Sequence, residues 1–134
     1  MIYEIIYKKL YKLIPNLDDI EEAIKLKSEG FMDLNVDILY RKRDYFVIAL
    51  SHYYKHPSGD MIPDPDMEVR ISPSMKMAEA MSYQDSYGYR QVYHDYDEDT
   101  GQYQKVAPKA KKELNSFLNT WLSNLLMQGH SPEG

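Results

Sequence analysis

The feature that most constrains this chain is a long amphipathic stripe near its C-terminal end. Leu114, Phe117, Leu118, Trp121, Leu122 and Leu125 recur at i, i+3, i+4, i+7, i+8 and i+11. That spacing puts six large apolar side chains on one face of an α-helix. Lys109, Lys111, Lys112, Asn115, Asn119 and Asn124 fall on the other faces. Pro108 suits a first helical position, and Gln128-Gly129 supplies a glycine stop. Burying each large side chain is worth about 1.5–3 kcal/mol, so the stripe demands a covering surface.

The middle of the chain offers that surface. Met32, Leu34, Val36 and Ile38 alternate with Asp33, Asn35 and Asp37, giving one apolar and one acidic strand face. Arg41-Lys42-Arg43-Asp44 turns the chain into a second strand, Tyr45 to Tyr54, with Phe46, Ile48 and Leu50 on one side. The short link between them implies an antiparallel hairpin. Residues 55–66 hold three prolines and a glycine and read as a loop. Met67, Val69 and Ile71 mark a third strand, and Met75 to Tyr83 a fourth. Tyr89 to Tyr96 and Gln102 to Val106 flank an acidic turn ending in Gly101, which predicts a closing hairpin.

At the other end, Ile2, Ile6, Leu10, Leu13 and Ile14 predict a helix over 2–14, stopped by Pro15. Over 16–28 the residues favour a short helix or turn with a Glu21–Lys25 pair. A strand beginning near Ile24 and Leu26 is the alternative. The expected fold is α+β: an antiparallel sheet of about five strands with the N-terminal and C-terminal helices packed on one face. At 134 residues this is a single domain, expected to span 1–130, with 131–134 as a frayed tail.

The absence of cysteine excludes disulfides, thiolate catalysis and cysteine-ligated metal sites. A net charge of −5 argues against direct binding of nucleic acid through phosphate neutralisation. The apolar runs fall short of the ~18–20 residues of a membrane span. Met1-Ile2-Tyr3-Glu4 has no basic stretch before an apolar run, so a mature cytoplasmic protein is expected. Tyrosine is over-used, with 13 residues against three Phe and one Trp. Its flat apolar body and polar tip suit half-buried strand faces and protein interfaces alike.

Chemistry is sparse. No nucleophile elbow, phosphate loop or dinucleotide fingerprint occurs, and no cofactor is implied. His52 and His56 lie four apart, with Asp60 and Asp64 downstream. Such a set makes a metal site only if the fold brings its members together. Asp60, Asp64, Asp66 and Glu68 cluster without the ligand spacing of a calcium loop, and Asp64-Pro65 suits a turn. In Tyr83-Gln84-Asp85-Ser86-Tyr87-Gly88-Tyr89 three tyrosines surround a glycine, either as a contact patch or as packing around a bulge.

His52-Tyr53-Tyr54, Gly59-Asp60-Met61, Asp64-Pro65-Asp66-Met67, Ser82-Tyr83-Gln84 and Leu114-Asn115-Ser116-Phe117-Leu118-Asn119-Thr120-Trp121-Leu122 with Gln128-Gly129 resemble a small family known only as a domain of unknown function. The resemblance runs from about residue 8 to about residue 130. A weaker similarity of the closing helix and its preceding strands points to a second uncharacterised family of proteobacterial proteins. The first family occurs in bacterial genomes, phages and mobile elements. The resemblance implies an accessory protein of such an element and brings no catalytic residue.

The function expected from these features is non-enzymatic binding of a protein partner with a basic surface. The contact residues expected are Tyr53, Asp60, Asp64, Asp66, Tyr83, Tyr87, Tyr89, Asp95, Asp97, Glu98 and Asp99. Acidic side chains on a compact scaffold can stand in for phosphates, so inhibition of a host defence nuclease is one form of this function. The alternatives are a metal-dependent enzyme using His52, His56, Asp60 and Asp64, and a homo-oligomer paired through exposed Tyr and Met. Neither a membrane nor nucleic acid is an expected partner.

Overall fold

The computed structural model describes residues 1–132. Helix α1 spans Ile2–Leu13, with Ile6, Leu10 and Leu13 buried along one side. Leu17–Asp19 form a single 3-10 turn that buries Leu17. The strand alternative then takes over, because β1 spans Ala23–Lys27. Leu26 points into the core and Lys25 and Lys27 outward, so Glu21 and Lys25 never share a helical turn.

The main sheet is built from β1, β2 (Leu34–Arg41), β3 (Phe46–Lys55), β4 (Met61–Ser72), β5 (Met77–Asp85), β6 (Gly88–Gln91) and β9 (Ser131–Pro132). Their spatial order is β6-β5-β4-β3-β2-β1-β9, and every pairing is antiparallel. The sheet thus has seven strands, not about five. The additional strands are short: β1 lies between β2 and β9, and β9 is a two-residue edge. Residues 89–96 split at Val92, and β7 (Tyr93–Asp97) pairs only with β8 (Gln102–Val106) in a separate two-stranded ribbon. Ser131 and Pro132, assigned to the tail by composition, pair with Lys27 and Leu26. The rest of the expected tail, Glu133 and Gly134, lies outside the described residues.

Strand β4 also begins inside the stretch expected to be a loop. Pro63 pairs with Tyr53 next to a register shift between Ser51 and Tyr53. A bulge is where a strand tolerates proline, because the regular hydrogen-bond pattern is already interrupted there.

Helix α2 spans Pro108–Met127 and packs on α1 and β5. Its Leu114, Leu118, Trp121, Leu122 and Leu125 enter the core with Phe46, Ile48 and Leu50 of β3 and Met67, Val69 and Ile71 of β4. Phe117 stays at the margin of the stripe, 38% exposed, with its ring edge-on to Tyr83 at 5.3 Å. Lys9 of α1 clamps the two helices by donating to Asn119 Oδ1 at 2.6 Å and Ser123 Oγ at 2.7 Å. The C-terminus of α2 is closed by Gly129 at φ +78°, with Gly129 N donating to Leu126 O and His130 N to Leu125 O. Only a residue free to adopt positive φ makes this paired cap without strain. His130 then turns inward and bonds Met32 O at 2.9 Å, seating β9 against β1.

Candidate functional site

Strand β3 has two buried faces. Phe46, Ile48, Leu50 and His52 face the helices, while Val47, Ala49 and Ser51 face the opposite side of the sheet. On that outer face the register places Ala49 between Asp37 and Glu68, and Ser51 between Asn35 and Asp66. Two small buried residues are therefore flanked by three carboxylates. Among the described residues, no cation is ion-paired with Asp37, Asp66 or Glu68. Burial, followed by the charge of Asp66, holds the carboxyls of Asp37 and Glu68 above the usual carboxylate range. The Tyr53 phenol donates to Asp66 Oδ2 at 2.6 Å. That hydrogen bond, helped by burial, pushes the phenol up to about 12.

At the other end of this face the β7–β8 ribbon leans over the sheet. It leaves a groove of about 600 Å³ between Tyr40, Tyr45 and Arg70 of the sheet side and Tyr93, Tyr96 and Tyr103 of the ribbon. Tyr103 contacts Tyr93 and Tyr96, with ring centroids 5.7 Å and 5.1 Å away. The Arg70 guanidinium lies 4.1 Å from the Tyr45 ring centroid, and Lys42 Nζ 5.7 Å from that of Tyr40. Both are cation–π contacts. Neither cation has a carboxylate partner among the described residues. Burial raises the phenols of Tyr40 and Tyr103, and the Glu68 carboxylate raises both further. Tyr93 anchors the ribbon base by donating to Glu79 Oε2 at 2.9 Å.

The contact residues expected from sequence do not form one patch. Tyr53 and Asp66 meet on the outer face. Asp60 belongs to the β3–β4 turn, where Ser58 Oγ donates to it at 3.3 Å and His56 Nδ1 accepts from Ser58 N. Asp64 is exposed within β4. Tyr83 faces the helices, where its ring packs on Phe117. Its neighbour Asp85 caps the β5–β6 turn by accepting from Tyr87 N and Gly88 N, leaving Tyr87 almost wholly exposed at the tip. Tyr89 is exposed on β6. Asp95 pairs with Lys105 across the ribbon at 3.3 Å. Asp97 Oδ1 accepts from Asp99 N at 2.8 Å, so Asp97, Glu98 and Asp99 shape the ribbon turn.

The metal alternative fails on geometry. His52 is buried beneath α2, with Nδ1 donating to Asp33 O at 2.8 Å and Nε2 accepting from Trp121 Nε1 at 3.4 Å. His56 sits out in the β3–β4 turn. Both ring nitrogens of His52 are engaged by groups other than His56, Asp60 or Asp64. Among the described residues no three His, Asp or Glu side chains gather in an arrangement that could hold a metal ion.

Asp37 and Glu68 were within reach of sequence reasoning, since each alternates with apolar residues on a predicted strand. The groove was not. Lys42, Tyr45, Arg70 and Tyr103 are brought together only by the strand register and by the ribbon folding back over the sheet.

No helix among the described residues is long and apolar enough to cross a membrane. Searches of curated proteins and of solved structures give no match. The match to a family profile is nearly full-length. From Ile5 to Ser131 the chain fits the profile described as a domain of unknown function (DUF6908), and it belongs to that family.

Proposed function

We propose that the protein is a binding module for another protein and meets a basic partner with the outer face of its sheet. The observation that carries this reading is the set of three carboxylates, Asp37, Glu68 and Asp66. They lie on β2 and β4, the two strands that flank β3, on the face opposite the helices, and have no cation paired with them among the described residues. The ionised forms of Asp37 and Glu68 are disfavoured by burial and then by the charge of Asp66. Lysine or arginine side chains laid against these carboxylates would relieve both effects. Tyr53 beside Asp66 supplies apolar contact with a polar tip.

A surface evolved to take a nucleic-acid backbone has the required charge. Occupation of a host nuclease's basic groove is therefore the form of this function that fits the mobile-element origin implied by the resemblance. Such a partner would be met in the cytoplasm. The test is affinity purification of the tagged protein from its native cells, at low and high ionic strength, beside an Asp37→Asn, Asp66→Asn double variant. A partner held by the unmodified protein at low salt, and lost both in the variant and at high salt, supports the reading. Equal recovery with the variant, or no partner at low salt, overturns it.

A further inference from the structure

We infer that the groove between the sheet and the β7–β8 ribbon is a binding site for a nucleotide, with the base held among tyrosines and the phosphate held by Arg70 and Lys42. This goes beyond the protein-binding reading and uses the opposite end of the outer face. The chain carries 21 acidic residues against 16 basic ones, so an unpaired cation is unexpected. Yet Arg70 and Lys42 sit at the same groove, each over a tyrosine ring and neither with a carboxylate partner among the described residues. Arg70 is half-buried, and stacking on Tyr45 orients its planar donor fork. That is the arrangement by which arginine meets phosphate oxygens in pairs.

The remaining walls suit a flat ring. Tyr96 and Tyr103 meet edge to face at 5.1 Å, and Tyr40 and Tyr45 likewise at 6.5 Å across the groove floor. Base–aromatic stacking is worth ~1–3 kcal/mol and tolerates any base. The groove's volume of about 600 Å³ falls in the ~300–1,000 Å³ range of small-ligand sites. The acids flanking the groove, Asp37 and Asp66 along the face and Asp97 to Asp99 at the ribbon turn, repel a long polyanion. A mononucleotide fits this charge pattern better than a continuous strand.

The test is calorimetric titration of the whole protein with adenosine 5′-monophosphate, adenosine, ribose 5-phosphate and a short oligoadenylate. The monophosphate is expected to bind saturably, with adenosine and ribose 5-phosphate each at least about tenfold weaker. Arg70→Gln should weaken the monophosphate about tenfold and leave adenosine unchanged. Lys42→Gln, at an exposed side chain of the β2–β3 turn, should act in the same direction. Lys112→Gln on α2 should leave binding as it was. Oligoadenylate is expected to bind more weakly than the monophosphate, and tighter binding of the oligomer overturns the assignment to a mononucleotide. No saturable binding at millimolar monophosphate, adenosine binding as tightly as the monophosphate, or variants that bind like the unmodified protein each overturn the inference. Asp37→Asn and Asp66→Asn test the protein-binding surface independently, so either reading can fail alone.

Discussion

Trp121 donates its indole N–H to His52 Nε2 at 3.4 Å, and this contact fixes the imidazole as the neutral Nδ1–H tautomer, whose proton goes to the carbonyl of Asp33 at 2.8 Å. Burial lowers the proton affinity of His52 and the nearby His130 adds to the effect. The Asp33 carbonyl and the charges of Asp64 and Asp33 oppose it. An unfolded histidine titrates near ~6.5. Above that pH both states are neutral. Below it the unfolded chain takes up a proton that folded His52 resists, so stability falls as pH drops from ~6.5 toward the lower folded value. Asp37 and Glu68 act in the opposite sense, gaining protons first in the folded state at more acidic pH. Thermal unfolding at pH 7 and pH 5 should show a lower midpoint at pH 5, and His52→Gln should flatten the difference. An unchanged difference in His52→Gln would reject His52 as the source of the pH dependence.

Asn115 substitutes for a missing strand. Strand β6 pairs with β5 only over Ser82–Asp85. The N–H of Ala80 lies beyond that register and donates to Asn115 Oδ1 at 2.8 Å, while Asn115 Nδ2 donates to Lys111 O at 2.7 Å. The Asn115 side chain is buried. Asn115→Ala leaves the Ala80 N–H without a partner, at a cost of about 1–3 kcal/mol. Urea unfolding measures it, and a loss under about 0.5 kcal/mol would contradict this role. Asn115→Asp keeps the acceptor and should recover part of the loss near its protonation range.

The carboxylate row is a source of instability in the free protein. Glu68 and Asp37 are both held above the ordinary carboxylate range, so their ionised forms are penalised in the fold. Glu68→Gln should raise the melting temperature at pH 7 by about 1–3 °C. The gain should shrink as pH falls, because the native carboxylate becomes protonated there too. Calorimetry at pH 7 and pH 4.5 checks both statements, and a lower melting temperature at pH 7 would refute them.

Tyr53 and Asp66 offer a spectroscopic handle on the same face. The hydrogen bond to Asp66 holds the Tyr53 phenol up to about 12. Asp66→Asn removes the negative acceptor and should return Tyr53 toward the ~10 of a free phenol. The ring-carbon NMR shift of Tyr53 followed through alkaline pH reads this directly. A titration unmoved by the substitution would show that burial alone sets it.

The parts of the fold visible in the sequence are those in which one face is apolar and the other wet. Helix α2 is the clearest case: Leu118 and Leu122 are fully buried and Trp121 is 7% exposed. Strands β2 and β3 were equally visible from Leu34, Val36, Ile48 and Leu50. Periodicity fails where tertiary pairing supplies the reason for a strand. Pro63 and Pro65 disguise the start of β4, because proline propensity says nothing of a bulge that tertiary pairing places in that strand. Residues 89–96 looked continuous because Tyr, Arg, Gln and His all suit strands. Only the buried Val92 marks where the chain leaves one sheet for the other. The acidic character of the outer face was legible as an Asp-lined strand face. The groove was not, since its cations and tyrosines come from separate segments with no spacing relation.

Val92 also determines how the ribbon is carried. Its N–H bonds Met81 O, its carbonyl accepts from Ala107 N, and its side chain is fully buried. One valine is thus the rivet of a two-bladed clip, with the jaw formed by Tyr96 and Tyr103 beyond it. The hydrogen bonds that hold the ribbon thus sit apart from the tyrosines it presents, so the support and the presented surface are separate parts of the chain.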